Sequence, residues 1–335
     1  MSLVPMEQTP VIASPAAAAS PIGPRRTARR LLIGVGALAL VALAVLGLSR
    51  VDLSAAAGTL ADADPRMLLV AIGLYALGQS LSGAMWAVCQ RSGGVDRLSL
   101  STSLGLHWIA RAACELLPAS LGEVVRVALV RRHPAGRPAG TLRITGALAD
   151  YKVIDAAVTV AVVIALVAAV PPPGPAAGLR WTAAVAAALI VVGVVLWRLG
   201  AGRRAARFVP GRLRATGARM GEGAAVLGHR RHARAAAVLG LGAALARLAS
   251  LAALLSAIGA PAQAAGLTFC VTVLAGILPA APGGAGMREL ALIPALAVGY
   301  GVSPATGLAF SVAIQAAALL TSLVVDAGAL AWLGP

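Results

Sequence analysis

Apolar positions in this chain run in long blocks, not in the alternating pattern of strands or the single stripe of a surface helix. The blocks cover about 31–48, 67–88, 100–117, 145–170, 181–199, 235–258, 264–299 (broken in the middle) and 304–333. About 20 apolar helical residues cross the hydrocarbon of a bilayer, so the pattern predicts an all-α polytopic membrane protein. Composition agrees. The 335 residues are 59% hydrophobic and only 12% charged, against about 25% charged in soluble domains. One soluble core stops growing near 250–300 residues. A cytosolic enzyme, a disordered chain and a disulfide scaffold are therefore excluded.

Charge then sets the topology. Arg and Lys total 28 against 12 acids, a net charge of +16, and Lys152 is the only Lys. Four bases (Arg25, Arg26, Arg29, Arg30) precede the first run, and Arg91 and Arg97 follow the second. Five (Arg126, Arg131, Arg132, Arg137, Arg143) follow the run at 100–117, and ten lie between Arg198 and Arg234. Cytoplasmic loops carry the excess of Lys and Arg, so these 21 bases encode orientation and anionic-lipid contact, and no nucleic-acid partner is expected. A full crossing at 100–117 would put five Arg outside. A re-entrant hairpin removes the conflict: it enters near Leu98, breaks at Leu117-Pro118-Ala119-Ser120-Leu121-Gly122 and returns to Arg126. The run at 264–299 behaves alike, stopping at Pro279-Ala280-Ala281-Pro282-Gly283-Gly284-Ala285-Gly286 and restarting at Met287-Arg288-Glu289. Pro removes a backbone donor and Gly tolerates irregular backbone, and such breaks at membrane depth must be buried in protein or line a wet cavity. The expected fold is about six full spans plus two re-entrant hairpins, with both termini cytoplasmic in the plasma membrane.

Residues 1–24 read as a disordered leader, and 25–335 as one transmembrane domain. The apolar run at 31–48 is too long for a signal-peptide core, so it reads as a retained span. Segment 198–234 is either an amphipathic interfacial helix on anionic lipid or a basic cytoplasmic loop. Span, hairpin and span recur over about 67–170 and 235–333, from opposite sides, and both breaks contain Leu-Pro-Ala followed by Gly and Glu. This is the layout of inverted-topology repeats, whose broken helices meet near the midplane.

Ten ionisable groups fall in or beside apolar runs: Arg111, Glu115, Glu123, Asp150, Lys152, Asp155, Arg247, Arg288, Glu289 and Asp326. Each costs at least about 2.5–3.5 kcal/mol at a bilayer centre, so they should face inward and pair. Arg111 and Glu115 share a helix face, as do Lys152 and Asp155; Arg288 adjoins Glu289, and Arg247 is expected to meet Asp326. The plain alternative is that each pair merely satisfies itself. Each return arm starts a helix inside the membrane, and helix N-termini bind anions such as phosphate. Arg111 and Arg288 beside them point to an anionic headgroup. Glu115, Glu123 and Glu289 would balance charge, carry protons or bind an amine. Cys89, Cys114 and Cys270 read as small buried hydrophobes, and His107 as a packed histidine. No metal pattern, nucleophile elbow or phosphate-binding loop occurs, so neither metal, cofactor nor enzymatic activity is expected. Trp86, Trp181, Trp197 and Trp332 lie near run ends, where interfacial aromatics belong.

Three motifs carry a family resemblance. Glu115-Leu-Leu-Pro118-x-Ser120-x-Gly122-Glu123-x-x-Arg126, then Asp150 and Asp155, then Pro282-Gly283-Gly284-x-Gly286-x-Arg288-Glu289 resemble the lysylphosphatidylglycerol synthase transmembrane region, or flippase-like domain, over about residues 28–333. The resemblance implies movement of aminoacylated phosphatidylglycerol, or of polyprenyl-linked lipids, between leaflets. It does not imply an enzyme, because the aminoacyl-transferring domain of the fused relatives is not part of the match. Ala149-Asp150-Tyr151-Lys152 departs from relatives, which often carry Glu-Arg before the second Asp; the charge pairing there is open. The expected function is a lipid flippase taking an anionic headgroup through a polar midplane cavity. Its headgroup site is expected to comprise the ten charged residues above with Arg126, Pro118, Gly122, Pro282, Gly283, Gly284 and Gly286. The alternative is a non-transporting membrane subunit that presents a lipid-linked substrate to a partner synthase or glycosyltransferase. Expected partners are membrane lipids, with a homodimer or such a partner enzyme beside them.

Overall fold

A computed structural model describes residues 52–116, 119–169, 222–277 and 287–333. Among them there are helices and no strand. In chain order the α-helices are α1 (Leu53–Ala61), α2 (Pro65–Ser92), α3 (Leu100–Leu116), α4 (Ala119–Arg132), α5 (Gly140–Ala169), α6 (Arg230–Ala257), α7 (Ala265–Ile277), α8 (Met287–Tyr300) and α9 (Pro304–Leu333). Four of them, α2, α5, α6 and α9, contain stretches long and apolar enough to cross a membrane. They coincide with four of the six predicted spans. The runs at 31–48 and 181–199, the leader at 1–24, most of the basic segment and both breaks (Leu117–Pro118 and 278–286) lie outside the described residues.

The remaining long apolar elements are shorter. Helices α3, α4, α7 and α8 have 17, 14, 13 and 14 residues. At 1.5 Å per residue each covers less than the ~30 Å of hydrocarbon. One feature of the first break differs from expectation. The helix resumes at Ala119, so Gly122 lies inside α4, not in the break. There the two arms press together: a Cβ on Gly122 would lie 2.7 Å from Cys114 Cα. Gly122 is required by the close approach of two helices.

Helices α2 and α6 share the most extensive interface of the bundle. Small residues make it possible, as in other membrane helix pairs. A Cβ on Gly78 would meet the Ala243 carbonyl at 3.2 Å, and one on Gly240 would meet Met85 Sδ at 3.0 Å. Ser250 Oγ on α6 donates to the Ala71 carbonyl on α2 at 2.7 Å. Among α2–α9 the other helix neighbours are paired, whereas α1 packs on α9 with no counterpart. α2–α3 has its counterpart in α6–α7, α3–α4 in α7–α8, α4–α5 in α8–α9, and α2–α5 in α6–α9; across the blocks, α3–α9 answers to α5–α7 and α2–α9 to α5–α6. Exchanging the block α2–α5 for the block α6–α9 thus leaves the pattern of neighbours within these eight helices unchanged.

The outer faces carry apolar side chains: Leu69 and Leu77 on α2, Val238 and Leu245 on α6, and Leu320, Leu323 and Val324 on α9 are all exposed. In water this would be an association patch; on a bundle of spans it is the surface that lipid covers. Trp86 departs from the interfacial placement expected of it. It is fully buried, packed among Met85, Cys89, Val130, Ile144 and Tyr151. Cys89 and Cys270 are buried and Cys114 half-buried, and all three are free thiols.

Candidate functional site

The two hairpins meet through one continuous chain of polar interactions. On α3, Arg111 pairs with Glu115, four residues on. Glu115 is buried, and its second oxygen accepts from Gln315 Nε2 on α9 at 3.4 Å. Gln315 Oε1 in turn accepts from Arg288 Nη2 on α8 at 3.2 Å. Arg288, also buried, donates to Glu289 at 3.2 Å, to Ser311 Oγ at 3.0 Å and to the Ser311 carbonyl at 3.3 Å. The Ser311 hydroxyl donates to Glu289 at 2.5 Å. Two cations and two anions from the two hairpins are thereby joined by two neutral side chains of α9. Each charge has an opposite partner, as buried ions require.

Local sequence explains the placement. His107, Arg111 and Glu115 recur every four residues, so they line one face of α3. Glu289 sits in the first turn of α8, where a negative charge complements the helix dipole. The anion-attracting helix end expected from the sequence is therefore already supplied with a carboxylate from its own chain.

A second polar group occupies the block α2–α5. Glu123 on α4 pairs with Arg126 at 3.3 Å and with Lys152 on α5. The Arg126 guanidinium lies over the Trp86 ring at 5.9 Å and over the Tyr151 ring at 5.1 Å. The Tyr151 hydroxyl and Ser82 Oγ are 2.8 Å apart. Chain position groups Arg126 with the cytoplasmic bases, yet only 2% of it is exposed.

The partners of two cations differ from those foreseen. Arg247 on α6 pairs with Asp155 on α5 at 3.1 Å; the side chain of Asp326, its expected partner, lies outside the described residues. Lys152 pairs with Glu123, so it is not the partner of Asp155, although the two share a helical turn. The reason is geometric: α5 packs against both α4 and α6, and each of these neighbouring helices brings an opposite charge within ion-pair reach. Asp150 is buried and accepts from the Val226 backbone N–H at 2.8 Å. It ties the short 3₁₀ turn before α6 to α5. Pro118, Pro282, Gly283, Gly284 and Gly286 lie outside the described residues.

The connecting residues Gln315, Ser311, Trp86, Tyr151 and Ser82 were not among those expected from the sequence. Neutral hydrogen-bonding groups carry no charge to mark them within an apolar run. Gln315 nevertheless had a signal: an uncharged but strongly polar amide inside a 30-residue apolar helix needs partners as much as a charge does. Among the described residues no three His, Cys, Asp or Glu cluster as a metal site would need.

No curated protein matches the chain. The profile of the family described as "Lysylphosphatidylglycerol synthase TM region" matches residues 30–325. The matched stretch contains α2 to α8, most of α9, and both polar groups. By that match over nearly its whole length, this multi-pass helical membrane protein belongs to the lysylphosphatidylglycerol synthase transmembrane region family, a family tied to membrane lipids.

Proposed function

We propose that this chain is a lipid flippase, not an enzyme, and that it moves an anionic or lipid-linked headgroup between leaflets of the plasma membrane. The observation that carries the reading is the polar chain Arg111–Glu115–Gln315–Arg288–Glu289, which joins two short-armed hairpins across helix α9. In this reading 67–170 and 235–333 are inverted repeats, their short arms are re-entrant, and both termini are cytoplasmic. The paired neighbours of the two blocks are what two-fold related repeats produce.

The chemistry follows from charge balance. Both Arg are neutralised by Glu in the state described, so the network is closed on itself. A phosphate entering between the hairpins takes charge-assisted hydrogen bonds from Arg111 and Arg288. The displaced Glu115 and Glu289 then need a proton or an amine. An uncompensated charge at bilayer depth costs at least about 2.5–3.5 kcal/mol, so opening of the network without a headgroup is rare. The acyl chains stay in lipid against the exposed Leu and Val belt, and rocking of one block against the other presents the headgroup to the opposite side.

Reconstitution into liposomes tests this. Wild-type protein should accelerate scrambling of a fluorescent anionic lipid, read by quenching from outside, and Arg111→Ala and Arg288→Ala should each lower the rate about tenfold or more, the equivalent of one lost charge-assisted hydrogen bond at about 1.5–3 kcal/mol. Both variants scrambling at the wild-type rate would refute the site. No scrambling of any anionic or polyprenyl lipid by folded wild-type protein would assign the chain to the non-transporting subunit class.

A further inference from the structure

The polar groups of the two blocks are counterparts. Tyr151 is the twelfth residue of α5, and Gln315 is the twelfth of α9. In each block a carboxylate near the start of the second hairpin arm reaches the span that follows. Glu123 on α4 pairs with Lys152 on α5, and Glu289 on α8 accepts from Ser311 on α9. An Arg of the same arm pairs with each carboxylate, Arg126 in one block and Arg288 in the other. Their exposure differs. The side chains of Arg288 and Glu289 are 9% and 14% exposed, those of Lys152 and Glu123 50% and 22%. One group is closed and its counterpart is open.

The open group lies at a depth where exposure is costly. Lys152 is the thirteenth of the 30 residues of α5, about 4 Å along the axis from the midpoint of the helix. Its Nζ is tied to Glu123 and lies 5.7 Å from the centre of the Tyr151 ring, so it does not reach for either membrane surface. Against hydrocarbon such a cation costs at least about 2.5–3.5 kcal/mol, so its open side faces water or a lipid headgroup. Of Arg111, Arg126, Lys152, Arg247 and Arg288 it is the most exposed. The charges around it balance: Arg111, Arg126, Lys152 and Arg247 stand against Glu115, Glu123, Asp150 and Asp155. An anion is therefore taken by exchange of partners, not by an excess of positive charge. Lys152 is suited to that exchange, because Glu123 has a second cation, Arg126, at 3.3 Å. Release of Lys152 leaves no bare carboxylate.

We propose that Lys152 is the residue at which an anionic phospholipid headgroup docks from the open side of the block α2–α5. Its ammonium exchanges the Glu123 carboxylate for the lipid phosphate, a charge-assisted pair of the same kind, while Arg126 keeps Glu123 neutralised. In the closed counterpart the chain's own Ser311 and Gln315 occupy Glu289 and Arg288. The choice of ligand rests on the lipid-handling reading above; docking itself does not require translocation.

Lys152 is the only lysine of the chain, so one peptide reports on it. The full-length chain, in nanodiscs of phosphatidylcholine with or without phosphatidylglycerol, is treated with a membrane-impermeant amine reagent. Modification of Lys152 is followed by mass spectrometry, with the N-terminal amine as internal standard. Lys152 should be modified in phosphatidylcholine and protected about tenfold by phosphatidylglycerol, as a ligand at about ten times its Kd protects. Inorganic phosphate added to phosphatidylcholine discs should not protect it. Glu123→Gln removes the competing carboxylate and should lower the fraction of phosphatidylglycerol needed for half protection. No modification before denaturation would overturn the open site, and equal modification in both lipids would overturn docking. Protection by inorganic phosphate would overturn the lipid as its source. A wild-type chain that scrambles no lipid yet shows this protection would lose the transport reading and keep this one.

Discussion

The ion pair between Asp155 on α5 and Arg247 on α6 offers a sharp quantitative test, because it is the pairing that chain position did not indicate. The perturbation is a double-mutant cycle of Asp155→Asn, Arg247→Gln and the double variant. At 3.1 Å and an effective dielectric of about 20, the Coulomb attraction is about 5 kcal/mol. The two side chains are 29% and 26% exposed, so screening takes a share of this, and the desolvation of both charges takes another. Arg247 also donates from Nε to the Ala243 carbonyl at 3.3 Å, a hydrogen bond that survives loss of the carboxylate. The expected coupling is therefore about 1–3 kcal/mol, above the ~0.6 kcal/mol average for hydrogen bonds between membrane helices. Asp155→Asn alone should cost about 2–3 kcal/mol, since it leaves an uncompensated cation among spans, and the double variant should recover most of that. The assay is reversible unfolding in mixed micelles, followed by circular dichroism. A coupling below about 0.5 kcal/mol, or an Asp155→Asn protein as stable as wild type, would refute the reasoning.

Three further outcomes are expected. Gly122→Ala places a Cβ 2.7 Å from Cys114 Cα and 2.9 Å from Cys114 Cβ, so it should destabilise the hairpin by about 1–3 kcal/mol; Cys114→Ala should rescue it only in part, because the clash with the backbone at position 114 persists. Gly73→Ala, with nothing within 4 Å of the new methyl, should instead stabilise α2 by about 0.5–1 kcal/mol, and the same unfolding measurement compares the two. Gln315→Leu removes the link between Glu115 and Arg288; it should lower stability by about 1–2 kcal/mol and slow scrambling, whereas Gln315→Asn, shorter but still an amide, should restore part of both. Finally, the Ser54 hydroxyl and then the backbone N–H groups of Ala55 and Ser54 hold the exposed Asp52 carboxyl below its usual value of 3.8. A depressed folded value means that the cap on α1 contributes fully above the unfolded value and is lost as pH falls through the folded one. Amide exchange in α1, corrected for intrinsic rates, should therefore speed up below about pH 4 in wild type and show no such step in Asp52→Ala.

Several features were legible in one dimension. The spans found as α2, α5, α6 and α9 follow from run length alone. The arms α7 and α8 lie on either side of residues 278–286, the segment in which Pro279 and Gly286 indicate an interruption. The pairs Arg111–Glu115 and Arg288–Glu289 follow from helical spacing and adjacency. Other features were not. Gly122 reads as a loop residue beside Pro118, but it lies within a helix that needs a residue without a side chain against Cys114. Trp86 reads as an interfacial anchor from its place near a run end, but it is fully buried beneath the Arg126 guanidinium.

What the sequence by itself determined is the class, the places where apolar helix starts and stops, and the short inventory of groups too polar for lipid. These are local properties: each depends on a residue and its neighbours within a turn or two. What only the tertiary structure decided is which of those groups meet. Glu115 reaches Gln315 across 200 positions, Arg247 reaches Asp155 across 92, and Asp150 reaches Val226 across 76. In a soluble helix the polar face would have shown which side looks outward. Here lipid and core are both apolar, so the spans carry no such stripe, and the rotation of each helix about its axis is absent from its sequence pattern. It is set by Gly and Ala surfaces closing on each other across α2 and α6, and that rotation aims each buried charge at its partner.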